Sequence, residues 1–595
     1  MITVDLLLGL AALGLLIFPG WLLARKHGLL LPGLAGFIFG AVALVLVVQL
    51  LDAVGLGLSA RTIFPAWALL GFGAILAGRR PAAAPRRMEG EWRTDRLLLL
   101  PVVPAVVVVA YRAIAQPLSG IDTVFRWNFL AELMHARGNL AFYPPVSAAD
   151  YTIYAWPDGI APVVSSLYFW AYTLAGAARP VLTAPLVIFQ FLLLLAAVYA
   201  LARQLASPRA ATMACALTAC SPIVLWSAAM GQESALIALS LLAVLLYLPS
   251  SRESAGTAAT LMAGLAAALG GLAREYGLAF IVFGLALGLA RRLSARTLGL
   301  YLMAAMIGTL PWYGRNWLHT GNPLFNLDVA GFFPVNTAHL RLMEIFQSSY
   351  GWAGLPPEGF RQFSTNCMAA VAGVIAGILI GPRRNLPLFA ALLLVLCLWA
   401  VSLGYTAAGF TYALRVLTPG LLIAAVLGGI ALARWVPARQ YSGGLALALG
   451  IFAMDAALRA LVLPANIYKV PPPAWLDAGR AVQDYHQRPV YQQLSAYAGD
   501  RRILVLGPAA LLNSHGARTV PLWSPEVAFL WDEAVTPAEA RRRLTGNGID
   551  FVLVNKGEVN RQYLAQIAFF RRQPGASLQL VWSDSDMILF KVIPP

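Results

Sequence analysis

The chain has 595 residues, 59% of them apolar and 12% charged, with a mean hydropathy of +0.71; this excludes a soluble globular domain and points to a polytopic membrane protein. Lys and Arg outnumber Asp and Glu by 43 to 27. The clusters Arg79–Arg96, Arg291/Arg292 and Arg383/Arg384 stand in short loops between apolar runs, so membrane orientation accounts for the excess and nucleic acid does not.

A span needs about 20 apolar residues. In chain order the candidates are 3–24, 28–54, 62–78, 97–115, 181–203, 208–229, 235–250, 256–272, 277–291, 298–316, 366–382, 386–404, 411–433 and 442–463, about 14 spans by that criterion. The run from Val4 to Ala24 is too long, and lacks the basic start, for a cleaved signal peptide, so it reads as a retained span. Alternation closes when the loops 25–26, 79–96, 203–209, 251–255, 291–297, 383–385 and 434–441 are inside. The N-terminus, the loops 116–180 and 317–365 and the tail from 464 are then outside. Counting "IAPVVSSLYFWAYTLAGAA" (159–177) as a span would turn Arg203 and Arg209 outward. It is therefore expected to lie in, or dip into, the outer leaflet.

Cys215, Cys220, Cys367 and Cys397 lie in or beside apolar segments and imply no disulfide framework. The tail reads as a soluble α/β domain. "RILVLG" (502–507), "DFVLVN" (550–555), "LQLVW" (578–582) and "MILFKV" (587–592) have strand composition. Thr536, Pro537 and Glu539 start a helix as N-cap, N1 and N3. "GPAALLNSHG" lacks the spacing and the Lys of a phosphate-binding loop. The expected division is 1–96, three N-terminal spans and a basic cytoplasmic loop; 97–463, the catalytic membrane domain; and 464–595, a periplasmic α/β domain.

Ionisable side chains near a membrane are costly, which makes those at the outer ends of spans functional candidates. Asp122 starts the first outer loop, "SGIDTVFRWNFLAELMHARGNLAFYPP", with Arg126 four residues on. Glu233 lies in "MGQESAL", Arg274 and Glu275 in "LAREYGLAF", Arg315 in "LPWYGRNWLHTGNPLF" and Arg415 in "YALRVLTPG". Carboxylates and arginines converging on one face suit displacement at a sugar carbon whose leaving group is a lipid-linked phosphate. A carboxylate deprotonates the attacking hydroxyl, and guanidinium forks or a metal hold the phosphate. Each residue also has a plainer reading. Asp122 could only cap a turn, Glu233 face solvent, Arg315 and Arg415 snorkel to headgroups, and Arg274 pair locally with Glu275. "FRWNFLAELM" is expected to lie at headgroup depth.

The order of these features resembles the GT-C class of membrane glycosyltransferases, which includes the protein O-mannosyltransferases and the lipid A aminoarabinose transferases. It covers roughly 97–463, and its further parallels are "WPDGIAPVVSSLYFW" and "PWYGRN…GNP". The resemblance implies transfer of a hexosyl or pentosyl unit, with inversion, from a polyprenyl-phosphate donor to a lipid, glycan or protein acceptor. It implies Asp122 as general base and Glu233 as second catalytic acid. Arg126, Arg274, Glu275, Arg315, Arg415, Tyr313 and Asn322 would contact substrate. The setting would be the bacterial inner membrane, with the tail in the periplasm. Where many members pair their acids, here Thr123 follows Asp122 and Ser234 follows Glu233. Single acids favour a mechanism without cofactor; a divalent metal, Mg²⁺ or Mn²⁺, stays the open alternative. A flippase or transporter, or a lipid-linked glycan polymerase or ligase, are the competing readings. The 317–365 loop is expected to serve as a lid.

Overall fold

The computed structural model describes residues 2–78, 96–120, 122–251, 256–325, 327–350, 357–381, 385–404, 410–436, 442–467, 489–506, 516–556, 564–572, 577–585 and 587–594. The basic loop 79–95, Arg383, Arg384, residues 351–356 and most of "GPAALLNSHG" lie outside them. Among the described residues eight helices are long and apolar enough to cross a membrane. There are nine if Pro208–Ala219 and Pro222–Ala229, bent by 74°, make one span. The chain is a polytopic α-helical membrane protein carrying a C-terminal α/β body. The bend falls where Ser221 caps a new helix start and Pro222 supplies no N–H.

The other expected spans are helices as well: Ala60–Gly78, Glu233–Tyr247, Thr257–Ala273, Ala279–Ala290 and Ala295–Thr320. Several fall short of a full crossing; a helix of Glu233–Tyr247's length reaches about 22 Å against a hydrocarbon core of about 30 Å. Every residue of Glu233–Tyr247 is buried, so protein rather than lipid surrounds it.

Two helices expected at the membrane surface are covered by protein. The helix Val163–Ala175 has 13 residues, almost all buried, so neighbouring helices and not lipid surround it. Its Trp170 donates Nε1–H to the Ala12 carbonyl at 2.8 Å and packs its ring 5.0 Å from Trp67. The helix Asn128–Arg137 buries Phe129, Leu130, Ala131 and Met134 against the protein. Ser165 Oγ ties it down by donating to the Trp127 carbonyl at 2.8 Å. Apolar surface from Ile2–Lys26, Pro32–Ala53 and Ala60–Gly78 replaces lipid here, so the N-terminal helices are part of the core.

Polar cross-links gather helix ends on two opposite faces. On one, Arg179 pairs with Asp5 at 2.7 Å, Asp52 accepts from the Leu140 N–H at 2.8 Å, and Trp523 of the tail donates to the Ala155 carbonyl at 2.8 Å. On the other, Tyr247 OH donates to the Leu30 carbonyl at 2.6 Å and Arg291 to the Leu248 carbonyl at 2.9 Å.

The tail contains the strands β1 (Arg502–Leu506), β2 (Arg518–Pro521), β3 (Ile549–Asn555), β4 (Leu578–Ser583) and β5 (Met587–Val592), in the order β2-β1-β3-β5-β4. β1 runs parallel to β2 and β3, while β5 runs antiparallel to β3 and β4. β2 escaped sequence reading because it is four residues long and ends in Pro. Thr536 caps Pro537–Gly546 as expected, its Oγ1 accepting from the Glu539 N–H at 3.2 Å. Side chains alternate across the sheet. Ile503 and Val505 face Tyr491 and Leu494, whereas Leu504 and Leu506 face a second core that includes Tyr151, Ala338, Leu342 and Ile345. The loops 116–180 and 317–365 thus contribute to the tail's core. Of the expected lid, Ala338, Leu342 and Ile345 of the helix Thr337–Tyr350 are built into that core.

Candidate active site

Asp122 precedes a single π-turn, Thr123–Trp127, which joins directly to Asn128–Arg137. Such turns interrupt regular helix hydrogen bonding and recur at functional sites. This one sets Arg126 Nη1 3.8 Å from Asp122 Oδ2. Glu233 opens its helix right after Gly231 and Gln232. Gly231 has φ +66°, and a Cβ there would meet Tyr168 Oη at 2.8 Å and Leu118 Cδ2 at 2.9 Å. Gly231→Ala should therefore cost about 1–2 kcal/mol in backbone strain alone, with the clash added; a lowered unfolding temperature in detergent is the check. Gly120 admits the other partner, since a Cβ there would stand 2.3 Å from Gln232 Nε2.

Arg415 lies in the 3₁₀ turn Leu414–Leu417, which leads into Thr418–Trp435. Its guanidinium bridges two carboxylates: Nη2 donates to Asp122 Oδ2 at 2.7 Å, and Nη1 stands 3.2 Å from Glu233 Oε1. It also donates to Gln232 Oε1. Tyr412 lies under it, with Cζ 4.1 Å from the ring centroid, a cation–π contact. Gln232 Nε2 reaches Thr123 Oγ1 at 3.0 Å and Tyr412 Oη at 3.1 Å, tying the π-turn to the Arg415 turn.

Arg126 turns mainly to a residue the sequence reading passed over. Asp158 of "WPDG" accepts from Arg126 Nε and takes hydroxyl donors Tyr143 at 2.9 Å and Tyr154 at 3.2 Å. Burial weakens the charge on Arg126, and Asp158, then Asp122, more than restore it. Burial pushes the Asp122 carboxyl up, but Arg415, Arg126 and Arg274 outweigh it and hold the group below the usual aspartate range.

Arg274 stands 3.5 Å (Nε) from Glu275 Oε2. Among the described residues the buried polar atoms here that make no hydrogen bond include the charged pair Glu233 Oε2 and Arg274 Nη1, with Ser234 Oγ and Trp127 Nε1 nearby. Buried polar groups are nearly always satisfied, so an unsatisfied pair at one site points to a ligand that completes them. Three guanidinium groups face four carboxyls here. A phosphate would therefore be held by directed donors such as Arg274 Nη1, not by net charge.

The remaining candidates are engaged elsewhere. Arg315 donates to the carbonyls of Tyr143 at 2.7 Å and Leu140 at 2.8 Å, with Asp52 at 3.6 Å. Tyr313 OH donates to the Gly271 carbonyl at 2.6 Å. Asn322 Nδ2 donates to the carbonyls of Leu327 and Pro334, each at 3.1 Å. Trp312 Nε1 and Asn316 Nδ2 both donate to the Gly159 carbonyl, at 3.1 and 2.9 Å. "PWYGRN" thus fastens the loop 116–180 beside Asp158. Sequence reading missed Asp158, Gln232, Tyr412 and Asp52; an acid between Trp-Pro and Gly in an apolar loop was the available signal for Asp158. Among the described residues, no group of three or more His, Cys, Asp or Glu could hold a metal ion.

No family model matches the sequence, and no curated protein does. Similar solved structures include the Archaeoglobus fulgidus oligosaccharyltransferase tethered with an acceptor peptide containing the NVT sequon. It is 14% identical over 84% of this chain and 74% of that one, with a TM-score of 0.46. AglB from the same organism, in complex with an inhibitory peptide and a dolichol-phosphate, is 13% identical over 81% and 72%, with a TM-score of 0.47. ArnT from Cupriavidus metallidurans bound to undecaprenyl phosphate is 15% identical over 84% and 98%, with a TM-score of 0.46. At such identities these likenesses assign no residue a role.

Proposed function

We propose that this protein is an inverting membrane glycosyltransferase. It would move a hexosyl or pentosyl unit from a polyprenyl-phosphate donor to a hydroxyl of a lipid, glycan or protein acceptor. The observation that carries this reading is the buried Asp122–Arg415–Glu233 bridge, with Glu233 Oε2 and Arg274 Nη1 left unpaired beside it. The acceptor hydroxyl attacks the anomeric carbon as the bond from that carbon to the phosphate oxygen breaks. Polyprenyl phosphate leaves with the bonding electrons, and the hydroxyl proton passes to Asp122. Arg274 takes the phosphate, Glu233 Oε2 orients the acceptor, and Arg415 holds both carboxylates in place. Arg126 and Glu275 flank the donor, while Arg315, Tyr313 and Asn322 position the loops. The positive-inside pattern supports a bacterial inner-membrane setting with the site and tail on the periplasmic face.

Asp122 and Glu233 are also the carboxylates a divalent ion would use. The guanidinium of Arg415 lies between them, so a metal fits only if that side chain moves. Mass spectrometry of lipid co-purified with the protein tests the donor class: a polyprenyl phosphate or its sugar adduct is expected. Arg274→Ala should weaken polyprenyl-phosphate binding roughly tenfold or more, the worth of one charge-assisted hydrogen bond. Unchanged affinity in a vesicle titration would remove Arg274 as the phosphate ligand.

A further inference from the structure

Where the first outer loop meets the α/β body lies an aromatic cluster that the proposed chemistry does not use. Trp156 packs its ring 4.9 Å from Phe125, 6.1 Å from His339 and 5.1 Å from Trp523, and Arg126 Cζ is 5.8 Å from its centroid. Phe125 and Arg126 belong to the π-turn after Asp122, and Trp156 stands two residues before Asp158. Trp523, just beyond β2, is 3% exposed. Its indole donates Nε1–H to the Ala155 carbonyl at 2.8 Å, and its backbone carbonyl accepts from Asn336 Nδ2 at 2.8 Å. Asn336 Oδ1 in turn accepts from the His339 N–H at 3.0 Å, at the start of Thr337–Tyr350. Burial, and then Arg126, push the His339 imidazole down to about 3, so it meets the cluster as a neutral ring.

We propose that Trp523 is a positioning residue for the active site, through which the α/β body holds the Ala155–Asp158 segment so that Asp158 captures Arg126. The consequence follows from the distances. Arg126 gives its Nε to Asp158 and stands 3.8 Å from Asp122. If the segment drifted, the guanidinium would be free to close on Asp122 and lower its proton affinity further. The tail then forms part of the site. The placement stands on the contacts at this junction; its catalytic consequence rests on the transferase reading.

Hydrogen exchange of the full chain in detergent tests the placement without any substrate, so failure of the transferase reading leaves the result interpretable. Trp523→Ala should speed amide exchange in 122–127 and 155–158 by about tenfold, while β3 keeps its protection. Trp523→Phe, which keeps a ring against Trp156 but loses the donor to the Ala155 carbonyl, should return 122–127 close to the wild-type rate and 155–158 only in part. If alanine also deprotects β3, Trp523→Leu, which keeps an apolar plug in that core, is read in its place. Wild-type exchange at 122–127 and 155–158 in the variant whose β3 stays protected would overturn the proposal.

Discussion

Asp122→Asn is expected to reduce sugar transfer from a polyprenyl-phosphate donor by about 10²–10⁴-fold, the usual contribution of a positioned general base. The protein should stay folded, because Gln232 and Glu233 still engage Arg415 and Asp158 still holds Arg126. Turnover retained in a purified, folded variant would remove Asp122 as the base. The pH dependence has a definite sign. The folded-state pKa of Asp122 is depressed by Arg415, Arg126 and Arg274 despite burial, so the carboxylate is ionised throughout the neutral and mildly acidic range. Its stabilising contribution is present above the unfolded aspartate value of about 3.9 and is lost as pH falls through the lower folded value. A pH–rate profile should accordingly show no acid limb from Asp122 above about pH 4.

Replacing Arg415 should be the second severe change. Breaking a buried ion pair from one side costs about 3–5 kcal/mol, and here one side chain serves two carboxylates, its own side chain being 9% exposed. Arg415→Lys should rescue little, because an ammonium cannot reproduce the fork that spans Asp122 and Glu233. If the guanidinium fills the place of a cation, wild-type transfer should survive chelator, whereas Arg415→Ala should acquire stimulation by Mg²⁺ or Mn²⁺. Strict metal dependence of the wild type would show that Glu233 serves a metal and that Arg415 moves aside in the working enzyme.

Much of this site was legible along the chain, for a physical reason. A charged residue at the end of an apolar run is costly, so Asp122, Glu233, Arg274 and Arg415 stood out by contrast with their surroundings. The same contrast selected Arg315, whose hydrogen bonds all go to loop carbonyls or toward Asp52. Cost alone does not say whether a buried charge faces a ligand or the backbone. Asp158 was overlooked for the opposite reason. It sits in a turn, where an acid is unremarkable, and only its three side-chain partners show its place.

The sequence by itself determined where the apolar helices run and where the capped helix of the tail begins, though not which of them are long enough to cross a membrane. Apolar length and capping are local properties, set by residues within a few turns of each other. Partnership was decided by the tertiary structure. Asp122 and Arg415 are 293 positions apart, and Trp523 lies 368 positions from the Ala155 carbonyl it holds. No local periodicity encodes such pairings. They follow from which helix ends the packed bundle brings to one face, and from a buried charge having to find its counter-charge there.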